Sequence, residues 1–171
     1  MTTITIADDM SDAALAREIA RALRTDAALN IGGAMTAGLS PGAQDWITTL
    51  ARARVPVTAA LSGEIGPRGI ALALLADAVA LSGSAAPASE ACHRAPIVAV
   101  LAAQRVGQVA ARVFLAEADP LRALDRAGVL HGGGSDVVAA HKAALVAAAE
   151  LPFEEAIGFA ALLHANEDPH R

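Results

Sequence analysis

The residues best placed to do chemistry are Gly66-Pro67-Arg68-Gly69, a glycine-bounded turn that follows the apolar run VPVTAAL at 55–61. Proline suits the first position of a helix, where an N–H has no intrahelical partner to lose. A helix beginning near Pro67 leaves unpaired N–H groups and the positive end of its dipole at the turn. Such groups can hold negative charge that develops on a carbonyl oxygen. Ordinary turn geometry uses the same glycines, so the pattern alone leaves both readings open. Glu64, inside the turn, and His93 are the side chains that could move a proton beside it; each also reads as a solvated loop residue.

Other patterns point less far. Gly38-Leu39-Ser40-Pro41-Gly42 has the G-x-S-x-G form, and His131 opens an HGGG run like an esterase oxyanion loop. A nucleophilic serine of that kind needs the next residue to donate its N–H, and Pro41 has none. The chain order of the two segments is also reversed. Neither the five histidines nor the Cys92-His93 pair shows metal-ligand spacing, and no GxGxxG fingerprint is present, so no metal or bound cofactor is expected.

The elements that must position the turn follow from pattern. Thr2–Ala7 alternates Thr with Ile and predicts a strand; Ser11 can cap a helix running to about Arg24, with Asp12 and Glu18 in its N-terminal half. Leu29–Met35 predicts a second strand leading into the loop TAGLSPG, and 44–52 a helix with Trp46, Ile47 and Leu50 on one face. Strands at 55–61 and 77–82 flank the helix from Pro67. Strand, turn, helix, strand argues for an α/β layer fold, with 55–61 and 77–82 as neighbours. The stretch 84–89 reads as a loop. From about residue 95 to His164 the chain reads as mainly helical, broken at Gly107, near Asp119-Pro120, at 128–134 and at Pro152.

Composition narrows the class. A chain of 171 residues is expected to form one domain, 1–171, and to bury about 70% of its unfolded surface. Hydrophobic residues make up 54% but aromatics only 2%, so alanine supplies much of the core. Such a core depends on close approach of elements, and oligomerisation is a natural supplement. The net charge of −5 and the lack of a basic stripe argue against nucleic acid as a partner. A single cysteine fits a reducing compartment. The start MTTITIADDM lacks the basic flank and apolar run of a signal peptide. The stretch 69–86 is too short and too broken to span a bilayer comfortably. The expectation is a cytoplasmic protein with no membrane partner.

The block RVPVTAALSGEIGPRGIALALLADAVALS resembles the central segment of the crotonase (enoyl-CoA hydratase/isomerase) superfamily. Ser62-Gly63 stands where that family has Asn-Gly, Gly66–Gly69 at its glycine-rich turn, and Asp77 at the aspartate opening its next strand. GGAMTAGLS is similar to the loop bearing the family's Ala-Gly pair. RVGQVAARVFL and ADPLRALDRAGVL are similar to later helical segments, so the likeness covers most of residues 28–160. The resemblance implies a ClpP/crotonase spiral of short strands and helices with a helical C-terminal half. It implies an acyl thioester ligand, carried by CoA or a carrier protein, and a homotrimer or dimer of trimers. Two backbone N–H groups would hold the thioester oxygen, and they fall on Ala37 and Arg68. The Arg68 side chain would contact a ligand phosphate or carboxylate, or lie solvated in the first turn.

Departures from the family bear on the reaction. Its hydratases place a glutamate where this chain has Ala71, which cannot transfer a proton. The second family carboxylate falls nearest Glu90. Proton transfer would therefore rest on Glu64, Glu90 or His93. A paired-glutamate hydratase is disfavoured, and isomerase or other enolate chemistry stays open. A non-catalytic accessory subunit of an acyl-thioester pathway is the alternative from another class. Clp-type serine peptidases share the spiral, but no serine–histidine pairing follows for Ser62.

Overall fold

Side-chain alternation sets the sheet. The computed structural model describes residues 2–130 apart from Asp8, Asp26 and Ala27, together with Pro152, Glu155 and Ile157. In β1 (Thr2–Ile6) Ile4 and Ile6 turn inward while Thr3 and Thr5 face outward. In β2 (Leu29–Met35) the inward residues are Leu29, Ile31 and Met35; in β3 (Val57–Ile65) they are Val57, Ala59, Leu61 and Ile65. With β4 (Ala78–Leu81), these strands lie in the order β1-β2-β3-β4, every neighbour parallel.

Parallel neighbours cannot be joined by a tight turn, so each step needs a crossover. The crossovers are α1 (Asp12–Thr25), α2 (Ala43–Ala51) and α3 (Pro67–Leu75), and α1 packs on α2 and α2 on α3. Stepping in one direction with crossovers of one hand winds the chain as a spiral. The expected neighbours pair as Thr58–Leu61 against Ala78–Leu81. Asp77 fixes that pairing, because its N–H donates to the Val57 carbonyl at 2.8 Å and its Oδ2 accepts from the Val57 N–H at 2.8 Å.

Two expectations need correction. β3 does not stop at Leu61 but runs on to Ile65, so Glu64 lies in a strand and not in the turn. The stretch 84–89 is not wholly loop: Ala86–Pro87 form β5, paired with Glu64 and Ile65. The cause is the same for both. β4 pairs with β3 only as far as Leu61↔Leu81, which leaves the remaining edge of β3 free to pair again. Gly63, at φ +64, lets the strand continue beyond that point.

A short 3-10 turn (Cys92–Arg94) leads into α4 (Pro96–Ala116), which buries Val98, Leu101, Ala102, Ala111 and Phe114. Gly107 breaks α4 at φ 80, ψ 160, where a break was expected. α5 (Pro120–Arg126) starts where Asp119 accepts from the N–H groups of Leu121 and Arg122. Among the described residues α4 is the one helix long and apolar enough to cross a membrane, by length and composition only. It was not the stretch, 69–86, that the sequence singled out, which divides into α3 and β4. The HGGG run and the part of the expected C-terminal helical segment beyond residue 130, apart from Pro152, Glu155 and Ile157, lie outside the described residues.

One glycine tests the β1–β2 seam. Gly33 has φ +109, and a Cβ there would sit 2.3 Å from the Ile6 carbonyl oxygen. Gly33→Ala is expected to cost about 3 kcal/mol or more in urea unfolding, through backbone strain and a clash with immobile backbone.

Candidate functional site

The site lies where β2 and β3 end together. Met35 is paired with Ile65 at the carboxyl ends of the two strands, the edge of a parallel sheet where ligands characteristically bind. The Gly66 N–H donates to the Met35 carbonyl at 2.7 Å and closes the two chains onto each other. A Cβ at Gly66 would lie 2.2 Å from the Thr36 oxygen, so only glycine permits this approach. Gly69 serves the same end, since a Cβ there would come within 2.9 Å of the Met35 Cβ. The glycines of the turn are explained by close packing, of Gly66 against the Thr36 backbone and of Gly69 against the Ile65 and Met35 side chains.

The two expected carbonyl-binding positions do meet, but as donor and acceptor. The Arg68 N–H donates to the Ala37 carbonyl at 3.2 Å. A pair of converging donors is what a thioester oxygen requires. In this conformation the Ala37 oxygen caps one of them, while the Ala37 N–H makes no hydrogen bond within the described residues.

The Arg68 side chain follows neither expectation: it is not solvated, and its charge is already engaged within the chain. Only 4% exposed, it donates from Nη1 to the Met10 carbonyl at 2.9 Å, and Nη2 lies 3.2 Å from Asp12 Oδ1. Its Nε is buried without a partner among the described residues. Asp12, also buried, accepts from the Ser40 N–H at 2.9 Å, the Ser40 hydroxyl at 2.6 Å and Trp46 Nε1 at 2.9 Å. Burial alone would raise the Asp12 pKa. The Ser40 hydroxyl and N–H, the Trp46 N–H and the Arg68 charge together outweigh it and hold the carboxyl below its ordinary value.

The proton-transfer candidates lie in unlike surroundings. Glu64 is exposed on β3, Glu90 is exposed in the turn before Cys92, and neither carboxylate makes a hydrogen bond or ion pair among the described residues. His93 is wholly buried, with neither ring nitrogen hydrogen-bonded among the described residues and its ring edge-on to Phe114 at 5.5 Å. Burial pushes its pKa below the ordinary histidine value, as it pushes the neighbouring Cys92 thiol up. Ala71 is fully buried in α3 and supplies no proton-transfer group. Asp12 carried no signal of this role in the sequence, where it read as a helix-start acid. The available hint was a charged residue at a turn position that the resembled family fills with glycine.

A parallel spiral whose glycine turn opens a helix beside a neighbouring loop is the crotonase fold. Structures sharing it include a protein described as an enoyl-CoA hydratase from Streptomyces coelicolor A3(2), at TM-score 0.68 and 20% identity over 95% of this chain and 81% of that one. An enoyl-CoA hydratase/isomerase family protein from Silicibacter pomeroyi aligns at TM-score 0.65 and 18% identity over 98% and 95%. An enoyl-CoA hydratase from Mycobacterium smegmatis aligns at TM-score 0.63 and 18% identity over 92% and 80%. No family model and no curated protein matches the chain. The likeness is one of fold.

Two measurements check this geometry. Asp12→Ala strands a buried guanidinium and three other donors, and is expected to cost about 3–5 kcal/mol in urea unfolding. For His93, the unfolded chain protonates near the ordinary 6.5, whereas the buried ring resists protonation. Its contribution to stability is therefore full above pH 6.5 and is lost as the pH falls toward the lower folded value. His93→Leu is expected to flatten the fall in Tm as the pH drops below 6.5, measured by thermal denaturation.

Proposed function

We propose that this chain is a non-catalytic accessory protein of an acyl-thioester pathway, built on the crotonase fold. The observation that carries the reading is the hydrogen bond from the Arg68 N–H to the Ala37 carbonyl, which occupies the place a thioester oxygen would take. Alanine at 71 and two exposed glutamates support it, because among the described residues neither the Glu64 nor the Glu90 carboxylate is held in place to move a proton. The ligand of such a protein is an acyl group on CoA or on a carrier protein.

The enzyme reading keeps one specific support. Ala37 and Arg68 stand side by side at the strand ends, as an oxyanion hole for hydratase, isomerase or other enolate chemistry would need. Glu64, Glu90 or His93 would then transfer the proton. Incubation with crotonyl-CoA, which a hydratase consumes, and with a 3-enoyl-CoA, which an isomerase converts to the conjugated 2-enoyl thioester, separates the two. The accessory reading expects the enoyl absorbance to change no faster than in buffer with either, while butyryl-CoA at millimolar concentration raises Tm. Turnover above buffer that disappears in Glu64→Gln, Glu90→Gln or His93→Asn would establish the enzyme instead.

A homotrimer or dimer of trimers is part of the same proposal. Val100, Val109 and Val113 on α4 are 59%, 79% and 60% exposed, an apolar surface that a second copy would cover. Light scattering is expected to give three or six copies per particle at micromolar concentration; a stable monomer would contradict it.

A further inference from the structure

We propose that Asp12 is a positioning residue, a latch that keeps the carbonyl-binding site capped, and that the site opens by rotation of the Ala37–Gly38 peptide. The inference rests on reading Ala37 and Arg68 as the place of a thioester carbonyl. Its basis is that one carboxylate grips both sides of the capping hydrogen bond. On the donor side it faces the Arg68 guanidinium at 3.2 Å. On the acceptor side it takes both the N–H and the hydroxyl of Ser40, at 2.9 and 2.6 Å, in the loop that carries the Ala37 carbonyl. Trp46 Nε1, at 2.9 Å, fixes the carboxylate from α2.

The loop is therefore anchored at both ends, and between them the one backbone hydrogen bond among the described residues is the cap itself, with Leu39 packed against the core. Before the peptide, the Met35 carbonyl is held by the Gly66 N–H at 2.7 Å; after it, Ser40 is held by Asp12 and its carbonyl accepts from Ala43 at 2.9 Å. Rotating one peptide plane between fixed ends changes ψ at 37 and φ at 38. Residue 38 is glycine, exposed, with nothing within 4 Å of the place its Cβ would occupy. It can accept either sign of φ without a clash. Rotation carries the Ala37 oxygen off the Arg68 N–H. That donor and the Ala37 N–H, which belongs to the preceding peptide and is unbonded among the described residues, are then both available to a ligand oxygen. A single net hydrogen bond favours the capped state by on the order of tenfold, a bias that a ligand carbonyl can reverse.

The test is amide hydrogen exchange by NMR on the full chain and on Asp12→Asn. The Arg68 and Ser40 amides are expected to exchange at least about tenfold faster in the variant, while Ile31 and Ala59 in the sheet are unchanged. Because Asp12→Asn leaves a buried charge unpaired, Asp12→Asn/Arg68→Met provides a neutral pair of similar volume that keeps the fold. Unaltered exchange at Arg68 in a folded variant overturns the latch. Butyryl-CoA labelled with 13C at its carbonyl is the second probe. A downfield carbonyl shift that is larger with the double variant than with the parent chain supports both the latch and the thioester site. Faster exchange with no carbonyl shift keeps the latch and refutes the thioester site.

Discussion

One buried carboxylate organises the working end of this molecule. Asp12 stands at the first turn of α1, yet it is engaged in tertiary contacts: the Ser40 loop, Trp46 of α2 and Arg68 of α3. Removing two opposite charges from water is costly, and the cost is offset only when good geometry and further hydrogen bonds satisfy the pair. Asp12 receives three such bonds besides the guanidinium; Arg68 has the Met10 carbonyl, but its Nε has no partner among the described residues. The arrangement is thus better suited to specifying one geometry than to adding stability. It sets how three crossover helices and one loop meet above the ends of β2 and β3.

Small residues make that meeting possible. Gly66 and Gly69 admit the backbone of the adjacent loop and the end of β2 to distances that no side chain would tolerate. The same closeness brings the Ala37 carbonyl onto the Arg68 N–H. A site of this kind is shaped by backbone, and its state depends on which way one peptide faces. The side chains that a reaction would call on are apart from this organisation. Glu64 and Glu90 stand in solvent, and His93 is sealed against Phe114.

The fold was legible because it rests on local signals. Alternation of Thr with Ile marked β1, Pro67 marked the first turn of α3, and Asp77 stood at the entry to β4. The extension of β3 to Ile65 was not legible, because it depends on a strand of two residues whose pairing only the third dimension supplies. At the site, the resemblance pointed to the Ala37 and Arg68 backbones, which do meet. It missed that they would bond to each other, since peptide orientation leaves no mark on residue types. It also missed Asp12, which lies 28 residues from Ser40, 34 from Trp46 and 56 from Arg68. Contacts between single polar residues at such separations have no periodicity to reveal them.

The central claim is that the site is capped by its own backbone, and that hydrogen bond is directly observable. Scalar coupling across a hydrogen bond, between the amide nitrogen of Arg68 and the carbonyl carbon of Ala37, can be measured in a chain labelled with 15N and 13C. The account predicts a resolved coupling for this pair in the absence of ligand. No coupling at Arg68, with couplings still seen for sheet pairs such as those joining β2 and β3, would show the donor to be free and would contradict it.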